Sequence, residues 1–316
     1  MKSFYMPAVS AGVHPDSGRE REVTLAATFS DPADEPPWVA FVRILGDAGI
    51  DVPPNSRFGR YMKIIRDGHR DRRHQALAML EMHQLHQGVR FLRDLGPWKA
   101  KIVEAINKDM DIPGKPGANS RGRDAQFEVN VAGRFVQAGA VVAPGEPDLV
   151  CDLNGMRFGV AAKRIKSATA LRDNFIDARR QIVRSGLPGV VALDVTPVLQ
   201  SMLMQSLAIA PDHFVSFARA TVDHVLEKQI PRIIKDSRPG VMGFIAFAEL
   251  AALGVGNNGY HWFFASVHSG HALEGEYFDF MHGITDLIGR EPSERIGPVS
   301  SSGGEPPGTG ESVLPR

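Results

Sequence analysis

"GEPDLVCDLNGMRFGVAAKR", Gly145 to Arg164, is the stretch whose reading decides the fold. Asn154-Gly155 at its centre is the strongest short hairpin signal, because both residues tolerate the positive φ that a two-residue type I′ turn requires. Such a turn fixes the register of the strands on either side. Asp152 then faces Arg157, and Asp148 faces Ala161. Side chains alternate along a strand, so Asp148, Val150 and Asp152 share a face with Arg157, Gly159, Ala161 and Lys163. Directly opposed Cβ atoms lie about 4.5–5.5 Å apart. A carboxylate at 161 could therefore share one hard cation with Asp148, with Lys163 beside it to handle a water or a phosphate. The residue at 161 is alanine.

Magnesium binds through a few carboxylate oxygens and completes its shell with water and substrate phosphate. It lowers the pKa of a bound water, and cation and lysine together offset the charge that grows on a phosphate under attack. The hairpin has the geometry for that chemistry and lacks one ligand.

The flanking sequence supplies a consistent setting. A helix over "DAQFEVNVAGRFVQAG" precedes the hairpin, and a basic helix over "TALRDNFIDARRQIVRSG" follows it. A strand "GVVALDVTPV", a helical stretch over about 199–236, and two apolar strands, "GVMGFIAFAE" and "YHWFFASVHS", come next. The expected order is α-β-β-α-β-α-β-β, a mixed α/β domain with one central sheet.

This arrangement resembles the PD-(D/E)XK nuclease superfamily. Pro147-Asp148 matches the PD, Lys163 matches the lysine, and Ala161 stands where the family has its acidic residue. Glu128 matches an acidic residue on the preceding helix, and Gln181 resembles a glutamine on the following one. The resemblance covers roughly residues 120–290. It implies a restriction-endonuclease-like mixed sheet flanked by helices and preceded by a small helical domain. It also implies a Mg²⁺- or Mn²⁺-dependent endonuclease acting on DNA, suited to restriction or anti-phage defence. In that scheme Asp148, Glu128 and the residue at 161 are the metal ligands, Lys163 assists the attacking water, and Gln181 positions the phosphate. A homodimer or larger assembly is expected, and a regulatory partner protein is a further candidate.

Ala161 leaves three explanations open: an engineered inactivation, which the otherwise complete site favours; a natural member that only binds nucleic acid or assembles; or an acid that has migrated to Glu146 or Asp152. With alanine at 161, the chain as it stands is expected to be inactive or severely impaired.

Basic surfaces are a second feature. "RFGRYMKIIRDGHRDRR" carries Arg57, Arg60, Lys63, Arg66, Arg70, Arg72 and Arg73 against Asp67 and Asp71. At helical spacing Arg66, Arg70 and Arg73 share one face, a candidate stripe for DNA phosphates and equally a solvated helix face. Arg164, Lys166, Arg172, Arg179, Arg180 and Arg184 follow the hairpin and are candidates for backbone contacts.

Composition bounds the rest. The chain has 316 residues, 43% hydrophobic and 23% charged, with a formal net charge of zero. Affinity for nucleic acid must then come from local patches rather than a global field. Cys151 is the single cysteine, which excludes an intrachain disulfide and a multi-cysteine zinc site and fits a cytoplasmic protein. His69, His74, His83, His86, His268 and His271 show no complete ligand spacing, so no zinc centre is expected. The sequence contains no G-x-x-x-x-G-K-[ST] loop, and neither a signal peptide nor a membrane span is expected. The expected divisions are an arm over 1–35, a helical domain over 36–118, the nuclease-like domain over 119–290 and a disordered polar tail over 291–316.

Overall fold

The computed structural model describes residues 9–11, 21–26, 37–67, 72–108, 120–203, 220, 222–227, 229–236, 239–256 and 259–289. The tail from 291 onward lies outside them.

The hairpin forms in the register that the Asn-Gly turn predicts. β4 (Leu149–Leu153) and β5 (Met156–Arg164), taken here in the chain numbering in which β1 is Val9–Ala11, β2 Arg21–Ala26 and β3 Val141–Pro144, pair antiparallel. Asp152 opposes Arg157 and Leu149 opposes Val160. Asn154 and Gly155 both have positive φ, 53° and 81°. β3 was not anticipated: it adds antiparallel to β4, so three strands rather than two separate the helices on either side.

β5 continues the sheet through parallel pairing with β6 (Gly189–Asp194), the two being joined by α6 (Leu171–Ser185). β6 is buried along its whole length, as its unbroken apolar run "GVVAL" requires of a central parallel strand. It pairs parallel with β7 (Val241–Gly256), which forms a long antiparallel hairpin with β8 (Gly259–Ala272). β2 pairs with β8, and β1 with β2, so the described segments of the expected arm belong to the sheet. The order across it is β1-β2-β8-β7-β6-β5-β4-β3: six mixed strands from the middle and end of the chain, extended at one edge by two short ones.

Alternation along the strands feeds two apolar layers. Phe158 and Val160 of β5 and Val190 and Ala192 of β6 face α5 (Arg121–Gln137). Behind α5 lie α1 (Pro37–Asp47), α2 (Arg57–Asp67), α3 (Arg72–Phe91) and α4 (Lys99–Asn107). These helices share one continuous cluster with the sheet, so the boundary expected near 118 does not separate two cores. Ala161, Val191 and Leu193 face the other way, under α6. α6 offers them Leu171, Phe175, Ala178 and Ile182, a stripe at helical spacing. It ends at Gly186, whose φ of 71° is the left-handed conformation that closes a helix. α7 (Thr196–Leu203) and α8 (Ile230–Asp236) extend that side, and α9 (Phe278–Gly289), a helix not anticipated, packs beside β8. No helix of the described residues is long and apolar enough to cross a membrane.

α3 and α5 approach closely because glycine meets glycine. A Cβ on Gly133 would stand 2.4 Å from the Gly88 carbonyl oxygen. That contact fixes α5, the helix carrying Glu128.

Inside the helical layer lies a charged centre. Glu81 of α3 accepts from Arg57 Nη1 at 2.8 Å, Arg123 Nε at 2.7 Å and Tyr61 Oη at 2.8 Å. Arg57, grouped by sequence with a basic surface, is instead 1% exposed and also donates to the Ala105 carbonyl and Gln126.

Candidate functional site

Asp148 is set by its neighbours in the hairpin. The Glu146–Pro147 peptide is cis, and Pro147 packs against Gly159, where a Cβ would meet Pro147 Cδ at 2.6 Å. Gly159 thus leaves room for the proline, and the aspartate comes to rest over β5. Its Oδ2 accepts from the Ala162 N–H at 2.9 Å and stands 3.8 Å from Lys163 Nζ. The two side chains therefore lie on the same face. Burial raises the Asp148 carboxyl above the usual aspartate range, opposed by Lys163 and the Ala162 N–H.

Glu128 is carried by α5, close enough for the Asp148 charge to act on it. Its carboxyl too is raised by burial, with the Asp148 charge adding to the rise and Lys101 and Lys163 opposing it. Its direct partner is Lys101 of α4, whose ammonium pairs with Glu128 Oε2. Lys101 also favours the ionised form of Asp148. Two carboxylates and two ammonium groups, contributed by α4, α5 and the hairpin, make one balanced cluster.

Lys163 also lines a cavity of about 990 Å³ against α6. Gln181, Arg179, Arg180, Arg184 and Asp177 form its helical wall. The Gln181 Oε1 is buried and has no hydrogen-bond partner among the described residues. Arg180 is exposed and pairs with Asp177 at 3.0 Å. Lys163 is thus common to the acid–lysine cluster and to a basic-walled cavity.

Ala161 takes no part in the cluster. Its side chain is fully buried in the apolar layer under α6, next to Val191 of β6. Of the acids considered as substitutes, Glu146 is exposed and acts on Asp148 through its charge, while Asp152 is exposed and opposes Arg157. Among the described residues no group of three or more His, Cys, Asp or Glu is arranged to hold a metal ion. Asp148 and Glu128 each already face an ammonium group, and position 161 offers no oxygen. The residues present do not fit a Mg²⁺ or Mn²⁺ centre.

Arg164, expected as a backbone contact, is tied into the sheet: its Nε donates to Asp194 Oδ2 at 3.1 Å, with the side chains 13% and 4% exposed. Asp194 in turn accepts from the Thr196 N–H through Oδ1 at 2.9 Å, at the start of α7. Of the expected stripe of Arg66, Arg70 and Arg73, Arg66 lies in the last turn of α2 and Arg73 in the first turn of α3. Arg66 is exposed and paired with Asp67 at 2.7 Å; Arg70 and the Arg73 side chain lie outside the described residues. Lys166 and Arg172 are exposed, near the start of α6. His69 is outside the described residues. His83 is half-buried and His268 fully buried, and burial holds both well below the usual histidine range.

Lys101 is the site residue that sequence reasoning missed. The only signal was its place beside the buried stripe Ile102, Ala105 and Ile106 of α4. Compared with family models, curated proteins and solved structures, the chain finds no match in any of the three.

Proposed function

We propose that this chain handles DNA on a PD-(D/E)XK-type nuclease scaffold, and that in the sequence as it stands it binds the backbone without cutting it. The observation that carries the reading is the meeting of Asp148 and Lys163 at 3.8 Å beside a cavity walled by α6 arginines. The succession α5-β3-β4-β5-α6-β6 supports it, since it puts an acidic helix, an antiparallel hairpin and a basic helix around one sheet end. A phosphodiester entering the cavity meets Lys163, Arg179, Arg180 and Arg184, and exposed Lys166 and Arg172 extend the basic surface along the helix start. Such contacts position a duplex through its phosphates and carry no base preference. Gln181 lies in the same wall, its side-chain carbonyl oxygen enclosed. Asp148 holds Lys163 in place; no hydrolytic step is assigned to it with alanine at 161.

In a mobility-shift assay the chain should retard duplex DNA in EDTA, and it should leave supercoiled plasmid intact in Mg²⁺ or Mn²⁺. Cleavage that is lost on Asp148→Ala would replace this reading with an active endonuclease. Failure to retard DNA would remove the DNA reading altogether. The endonuclease assignment belongs to a chain with a carboxylate at 161, and its assay is Ala161→Glu. DNA cleavage that appears with glutamate and disappears on adding Lys163→Ala would make hydrolysis the scaffold's activity.

A further inference from the structure

Lys101 and Glu128 come from two helices that are held against each other independently of the pair. α4 is anchored by Trp98 just before it, 2% exposed, and by Ile102, Ala105 and Ile106, all buried against α5. With α5 fixed in turn by the Gly88–Gly133 contact, the packing of α4 on α5 places Lys101 beside Glu128. Its ammonium ends on Glu128, with the lysine side chain 33% exposed and the glutamate 14%. Lysine suits this position: a compact charge on a flexible stem, able to sit between two acids.

We propose that Lys101 is the resident cation of this site: its ammonium balances Glu128 and Asp148 where a divalent ion would otherwise be needed, and so excludes that ion. Three observations converge on it. Lys101 contacts Glu128 directly, its charge is felt at Asp148, and Lys163 stands at the other side of Asp148. A divalent cation drawn to the two carboxylates would lie within a few ångströms of both ammonium groups, and like charges at that distance in a partly buried cleft repel strongly. The part of the proposal that concerns DNA rests on the function proposed above; the part that concerns metal exclusion does not. For DNA it means that the cleft accepts a backbone phosphate without a metal, because the carboxylates that would repel the phosphate are already neutralised.

The test is a Mn²⁺ titration followed by electron paramagnetic resonance on the full chain and on Lys101→Met, Lys101→Arg and Lys101→Met/Asp148→Asn. Thermal melts confirm that each is folded. Lys101→Met should bind Mn²⁺ at least about tenfold more tightly than the unmodified chain. Lys101→Arg should behave like the unmodified chain, and the added Asp148→Asn should abolish the gain. Equal affinity in the unmodified chain and Lys101→Met, including no binding to either, overturns the proposal, as does a gain that survives Asp148→Asn. In parallel, the unmodified chain should bind duplex DNA equally in EDTA and in Mg²⁺, while Lys101→Met should lose affinity in EDTA and recover it with Mn²⁺. If the unmodified chain binds no DNA, the proposed function fails and the Mn²⁺ titration still decides the role of Lys101.

Discussion

Two acidic centres lie in this molecule, and they are neutralised in opposite ways. Glu81 is 3% exposed and is gripped by Arg57, Arg123 and Tyr61. Burial alone would raise its carboxyl, yet the guanidinium groups of Arg57, Arg123 and Arg164 outweigh burial and hold it below the usual glutamate range. Glu128 and Asp148 sit nearer the surface with lysines as their cations, and burial leaves both carboxyls raised. Arginine's rigid fork saturates Glu81 and ties α2, α3 and α5 together. Lysine's single mobile charge leaves the outer pair able to exchange partners. The inner centre builds the scaffold, and the outer one is available for a ligand.

The largest expected effect comes from breaking the inner centre. Glu81→Gln leaves Arg57 and Arg123 without their carboxylate and should cost about 3–5 kcal/mol in urea unfolding. A loss under about 1 kcal/mol would mean that the centre does not hold the helices together. At the outer centre the balance reverses: Lys163→Ala should weaken duplex DNA binding about tenfold, while stability changes by no more than about 1 kcal/mol. A binding loss matched by an equal loss of stability would make Lys163 a scaffold residue like Glu81.

Ala161→Glu should fall between, costing about 1–3 kcal/mol because it overfills the apolar layer under α6. Little or no cost in urea unfolding would show that position 161 opens toward the cleft.

The two centres also respond oppositely to pH. The Glu81 carboxyl is lowered by folding, so its contribution is present above its unfolded pKa and is lost as pH falls through the folded value. The Asp148 carboxyl is raised, so its contribution is present below its unfolded pKa and is lost as pH rises through the folded value. Thermal midpoints measured from about pH 3 to about pH 8 should show Glu81→Gln flattening the acid limb. Asp148→Asn should flatten the fall on the neutral side of the usual aspartate range. The smallest effect belongs to Arg180→Ala at the exposed rim. Stability should stay within about 0.5 kcal/mol, and the salt slope of DNA binding should fall by about one.

The parts of this arrangement legible in the sequence are the local ones. Asn154-Gly155 sets the β4–β5 register by turn chemistry, and alternation then puts Asp148 and Lys163 on one face. β3 escaped notice because four residues at a sheet edge, half of them exposed, leave no periodic signal. The remaining misreadings concern charge partners distant in sequence. Arg164 finds Asp194 across the parallel pair β5–β6, Arg57 finds Glu81 on another helix, and Lys101 finds Glu128 across α4 and α5. Nothing local distinguishes a lysine facing solvent from one aimed at a carboxylate on a neighbouring helix.

The central claim is that the outer centre is a backbone-binding cleft which functions without metal. Fluorescence anisotropy of a labelled DNA duplex in EDTA, titrated with the unmodified chain and with Lys163→Ala over a range of salt, tests it directly. The account predicts saturable, salt-sensitive binding by the unmodified chain and about tenfold weaker binding by Lys163→Ala with a shallower salt slope. Absence of binding in EDTA, or equal binding by the two proteins, would contradict it.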